Sequence, residues 1–129
     1  MDLEGKVVLV TGAGSGIGKA AALRLAQAGA TIAALGRAAD DLAATADQIV
    51  ASGGRAITVE ADISQPDEMQ AAIAQIEEKL KRLDVVFANA GINGVWAPIA
   101  DLKPEEWANT LAVNLTGTFL TVKYALPLL

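Results

Sequence analysis

The chain has 129 residues, 53% hydrophobic but only 4% aromatic, with a net charge of −5, which bounds one small domain able to bury a core. Ten Lys and Arg are scattered among fifteen Asp and Glu, which excludes the basic stripe a nucleic-acid surface needs. Cysteine and histidine are both absent, which excludes disulfides, thiolate metal centres and the commonest catalytic base and metal ligand.

The amino end, MDLEGKVVLV, lacks the apolar core of a signal peptide, and no run reaches membrane-spanning length. A cytoplasmic protein with no membrane partner is the default expectation. Val7 to Thr11 is β-branched, apolar and followed by glycines, which predicts a buried strand. A helix is predicted over Ile17 to Ala28, with Ile17, Ala21, Leu25 and Ala28 as its apolar stripe and Gly29 as its stop. Thr31 to Leu35 is a second strand. Asp40 to Ala51 is a second helix, with Leu42, Ala46, Ile49 and Val50 facing inward.

Ala56 to Ala61 is the third strand. Pro66 suits a first helical turn with Ser64 as cap, and Met69, Ile73, Ile76, Leu80 and Leu83 form the stripe of a third helix. Asp84 to Asn89 is the fourth strand, Ala90 to Lys103 a loop, and Pro104 opens a last helix running through Leu126. Four alternations of strand and helix predict a parallel sheet of order 3-2-1-4, with two helices on each face. That is the first part of a doubly wound α/β fold.

The stretch TGAGSGIG lies between the first strand and the first helix. There Gly12 lets the chain turn, Gly16 leaves room for a diphosphate to meet the backbone, and Gly18 lets the helix pack on the sheet. Unpaired N–H groups at a helix start, with the positive end of its dipole, favour phosphate. A plain flexible loop is the alternative. Arg37, at the tip of the second strand where no carboxylate stands, suits a phosphate dianion, or is simply a solvated arginine.

The loop form T-G-x-x-x-G-x-G resembles that of the short-chain dehydrogenase/reductase family, and ADIS, ANAG and VNLTG follow in the family's order. The resemblance implies a Rossmann-type fold and an oxidoreductase that moves hydride between a nicotinamide dinucleotide and a carbonyl or secondary alcohol. The implied cofactor is NADP by preference, through Arg37, with NAD possible. It implies cofactor contacts from Gly12, Gly14, Ser15, Gly16, Ile17 and Gly18. It adds Asp62 and Ile63 near the adenine, and Asn89, Ala90 and Gly91 near the ribose. Asp62 is equally readable as the cap of a turn. Ala88 departs from the family, which usually has asparagine there.

Asn114 falls on a wheel between Trp107, Leu111 and Thr118, inside the stripe expected to face the core. Buried there, its amide needs partners. A structural bond to a backbone carbonyl satisfies that need, and the resemblance adds the asparagine of a catalytic tetrad, holding a water in a proton relay. The remaining catalytic groups of the family are a serine and a Tyr-x-x-x-Lys pair. Tyr124 is the one tyrosine and Leu128 stands four residues later, so that pair is not present.

Residues 1–129 are therefore expected to be a nucleotide-binding domain incomplete on its carboxyl side, a piece inactive alone whose full-length form is a homo-oligomer. A non-catalytic dinucleotide-binding module and a non-binding remnant are the alternatives. No metal is expected. Trp96, in the long loop, is expected either to touch substrate or to pack on the last helix.

Overall fold

The computed structural model describes every residue, Met1–Leu129. Its elements are β1 (Val7–Thr11), α1 (Gly16–Gln27), β2 (Thr31–Gly36), α2 (Ala39–Ala51), β3 (Arg55–Glu60), α3 (Pro66–Leu80), β4 (Val85–Phe87), α4 (Pro104–Leu111) and α5 (Gly117–Ala125). A π-helical turn, Ala112–Thr116, joins α4 to α5, and a 3-10 turn, Leu126–Leu128, follows.

The four strands form one parallel sheet in the order β3-β2-β1-β4, as the alternation predicts. Every side chain of β1 is buried, because the sheet is covered on both faces. Strand alternation then divides the core. Val8, Val10, Ile32 and Ala34 pack with Ala22 of α1 and with Leu42 and Ile49 of α2. Val7, Leu9, Ala33 and Leu35 pack on the opposite face with Met69, Ile73 and Ile76 of α3, and with Val113 and Leu120. The predicted two-and-two division of the helices therefore holds.

Several local expectations are corrected. Ile17 is 74% exposed, and Gly18 and Ala22 form the buried line of α1, because the helix approaches the sheet through its smallest residues. Val50 is exposed as well, and Thr45 takes the inward position beside Leu42 and Ile49. Helix α3 stops at Leu80 because Lys81 adopts a left-handed φ of 64°, so Leu83 is buried from the following loop rather than from the helix. The N-cap of α3 is Gln65, not Ser64, whose amide and hydroxyl both turn back to Asp62.

The last predicted helix is interrupted by the π turn. Its wider winding breaks the angular register between α4 and α5, so one wheel cannot describe both. Trp107 and Leu111 are exposed, and the buried line is Val113, Gly117, Leu120, Thr121 and Ala125. Trp96 is 87% exposed and does not pack on that helix.

Strand β4 is shorter than predicted, since Asn89 and Ala90 turn their N–H groups to the Thr11 hydroxyl. Its start is fixed by Asp84. The carboxylate accepts the Val7 N–H at 2.8 Å and a two-point bond from Arg82 at 2.9 and 2.6 Å. Those donors hold the Asp84 carboxyl down to about 2, the Arg82 guanidinium contributing most and the Val7 amide next.

A folded value below the ordinary carboxylate value of about 4 means the contribution is complete above that pH and is lost as pH falls towards 2. The stability gap between the chain and its Asp84→Asn variant, measured by urea unfolding, is expected to close over that window. A gap that is the same at pH 6 and pH 2.5 contradicts this account.

Candidate functional site

A cleft of about 530 Å³ opens at the carboxyl ends of the strands. The turn after β1 forms one side of it, with Gly12, Gly14, Ser15, Gly16 and Ile17. The tip of β2 contributes Arg37, and the start of α2 contributes Asp41 and Leu42. The end of β3 supplies Asp62 and Ile63, and the turn after β4 supplies Asn89, Ala90 and Gly91. The fold thus gathers eleven of the thirteen residues singled out in the sequence around one concavity. Gly18 and Asn114 stand outside its lining.

The position of Gly18 is accounted for by packing. A Cβ built on it would collide with the carbonyl oxygen of Gly12 and lie 2.7 Å from the Asn89 amide nitrogen. Gly16 behaves differently. It has φ +53°, and a Cβ there would meet nothing within 4 Å, so it borders open space in the cleft. The N–H groups of Gly14, Ser15, Gly16 and Ile17 donate to no protein acceptor. Four free donors, at the start of a twelve-residue helix with no acidic residue in its first turn, can receive an anion.

Thr11 holds the two inner turns together. Its hydroxyl oxygen accepts the N–H of Asn89 at 2.9 Å and of Ala90 at 3.0 Å, and its carbonyl accepts the Asn89 side-chain amide at 3.1 Å. Sequence reasoning placed Thr11 only as a strand end. A hydroxyl closing an otherwise apolar strand, one residue before the glycine turn, was the available sign.

Asp62 is turned inward on itself. Its Oδ1 accepts the Ser64 N–H at 2.9 Å and hydroxyl at 2.7 Å, so the turn-cap reading describes the bonds it makes. Burial acts to raise its carboxyl, but the two Ser64 bonds and the Arg37 charge outweigh this and hold it below the usual value. Arg37 is exposed and paired in no salt bridge.

Asn114 is exposed, not buried as the wheel implied, because the π turn rotates it out of the core line. Its amide is nonetheless fully directed. Oδ1 accepts the Ile92 N–H and Nδ2 donates to the Ile92 carbonyl, both at 2.8 Å. The pair of bonds clips the segment after β4 to the helix. Ile92 and Val113, on either side of this clip, both line the cleft, and neither stood out in the sequence.

A parallel β3-β2-β1-β4 sheet, with helices on both faces and a glycine turn feeding α1, defines a Rossmann-type dinucleotide fold. The chain belongs to the short-chain dehydrogenase family, whose model matches residues 6–129. It is 37% identical over 124 residues to the 3beta-hydroxysteroid dehydrogenase of Mediterraneibacter gnavus, covering 96% of this chain and 45% of that protein.

Among solved structures, a 3-ketoacyl-ACP reductase from Sinorhizobium meliloti 1021 is 56% identical with a TM-score of 0.92, over 95% of this chain and 48% of the other. A metagenomic short-chain oxidoreductase in complex with NADP is 36% identical with a TM-score of 0.92, over 97% and 57%. NAD+-bound xylitol dehydrogenase is 32% identical with a TM-score of 0.95, over 99% and 49%. The chain thus spans about half the length of the curated relatives it matches. No helix is long and apolar enough to cross a membrane.

Proposed function

We propose that this chain is the cofactor-binding part of an oxidoreductase that uses NADP, and NAD less well, to interconvert a carbonyl and a secondary alcohol. The observation that carries the proposal is the set of unpartnered amides from Gly14 to Ile17, bordering a cleft into which Gly16 sends no side chain. That cradle fits a diphosphate in both charge and shape.

Asp62 and Ile63 would then border the adenine, Arg37 the 2′-phosphate, and Asn89 to Gly91 the ribose. The NADP and NAD complexes of the two solved relatives support a nicotinamide dinucleotide in this cleft. When bound, the nicotinamide gives or takes the hydride. The residues of this chain bind and orient it. Asn114 has spent its side-chain amide on Ile92, so a relay water, implied by the resemblance, would rest on its main-chain carbonyl, which also accepts the Thr118 hydroxyl at 3.1 Å.

Proton transfer needs an acid within hydrogen-bonding reach of the substrate oxygen. Tyr124 is no candidate for that acid: it lies half-buried against the core cluster that includes Val113 and Leu120, and it stands outside the cleft lining. The 129 residues are therefore proposed to bind cofactor without turnover. A homo-oligomer is proposed for the whole protein, through the exposed line of Leu111, Leu115, Phe119, Val122 and Leu126.

Fluorescence titration tests the reading. NADPH is expected to bind more tightly than NADH, and Arg37→Ala to weaken NADPH about tenfold or more while leaving NADH within about twofold. A ketone panel is expected to show no cofactor consumption by this chain alone. Absence of binding by either dinucleotide, or steady turnover, defeats the proposal.

A further inference from the structure

Thr45 lies on α2, outside the lining of the cleft, and is fully buried. Its hydroxyl donates to the carbonyl of Ala13 at 3.0 Å and also approaches the carbonyl of Asp41, one turn back, at 3.2 Å. The Asp41 contact is the ordinary back-bond of a helical threonine and needs no further account. The Ala13 contact crosses from one element to another. No backbone N–H reaches the Ala13 carbonyl, so Thr45 is its sole protein donor.

Ala13 is itself fully buried, and its own N–H donates to the Leu35 carbonyl at 3.1 Å. The two peptide units flanking Ala13 are therefore each pinned from outside the turn, one by β2 and one by α2. The second unit matters most. In a planar trans peptide, the N–H of residue i+1 points opposite to the C=O of residue i. A hydroxyl holding the Ala13 carbonyl thus sets the direction of the Gly14 N–H, the first of the free amides bordering the cleft.

We propose that Thr45 is a positioning residue for the diphosphate cradle: it aims the glycine turn's free amides by anchoring the Ala13 carbonyl from α2. The inference rests on the dinucleotide reading above. A buried carbonyl deprived of its donor seeks another partner, and rotation of that peptide unit carries the Gly14 N–H out of line. Valine has threonine's shape without the hydroxyl, serine keeps the hydroxyl, and cysteine, between serine and threonine in volume, offers only a weak donor.

The test compares NADPH affinity by fluorescence with the Gly14 amide resonance in the unliganded chain. Thr45→Val is expected to weaken NADPH about five- to tenfold, the effect of one lost hydrogen bond, and to move the Gly14 resonance. Thr45→Ser is expected to stay within about twofold and leave that resonance in place, which loss of packing alone does not predict. Unchanged affinity in Thr45→Val, or equal weakening in Thr45→Ser, overturns the proposal. If Thr45→Val does not fold, Thr45→Cys carries the test, and wild-type affinity in it overturns the proposal. Failure of the unmodified chain to bind NADPH removes the dinucleotide reading and this inference together, whereas retained binding in Thr45→Val removes this inference alone.

Discussion

Gly18→Ala is expected to destabilise the chain by about 3 kcal/mol, the upper end of the usual cost of overpacking. One added carbon would collide with the Gly12 carbonyl oxygen, a backbone atom at the close of β1 that no rotamer change can move aside. Relief requires α1 to lift from the sheet, and Ala22, packed one turn later on the same line, would lift with it. Against a total stability of about 5–15 kcal/mol this is a large fraction. Urea unfolding followed by circular dichroism measures it. A change below about 0.5 kcal/mol, the range of an ordinary surface substitution, contradicts the packing account.

The same substitution at Gly16 separates fold from function. Nothing stands within 4 Å of a Cβ there, so the structural cost is limited to the left-handed backbone, about 1–2 kcal/mol. The chain is expected to fold, but with a methyl group beside the free amides, and to bind NADPH at least about tenfold more weakly. The two glycines thus have opposite expected outcomes: Gly18 is required by the helix against the strand, and Gly16 by whatever occupies the cleft.

Thr11→Val is expected to cost about 3 kcal/mol. The side chain is buried and its oxygen is the acceptor for two N–H groups, so a valine of the same shape leaves both without a partner. Each orphaned donor costs about 1–3 kcal/mol, less where water reaches it, and both of these lie in partly buried surroundings. Thr11→Ser, which keeps the oxygen, is expected to recover most of the loss. Hydrogen exchange supplies a local check, since the Asn89 and Ala90 amides are expected to lose protection in the valine variant and keep it in the serine variant. Equal protection in both variants would show that the hydroxyl does not hold the turn.

Much of this was legible in the chain itself. The short continuous apolar runs and the helical stretches between them follow from what a covered parallel sheet demands, and right-handed crossovers leave few strand orders. The glycine spacing marks the turn, because only residues without a Cβ tolerate both its dihedrals and its contacts. What misled was the helical wheel. It placed Ile17 inside, though α1 approaches the sheet through Gly18 and Ala22, and it put Asn114 in the core by assuming one unbroken helix across Ala112–Thr116.

The sequence by itself determined the alternation of elements, the location of the glycine turn and the residue types that converge on one cleft. It did so because those depend on local periodicity and on the steric needs of single residues. Tertiary structure alone decided which atoms meet: the Thr11 hydroxyl with two amides, Thr45 with the Ala13 carbonyl, Asn114 with both polar groups of Ile92. Those partners lie 78, 79, 32 and 22 residues apart. A hydrogen bond has a range of about 3 Å, so no regularity along the chain encodes a partner that only folding brings within reach.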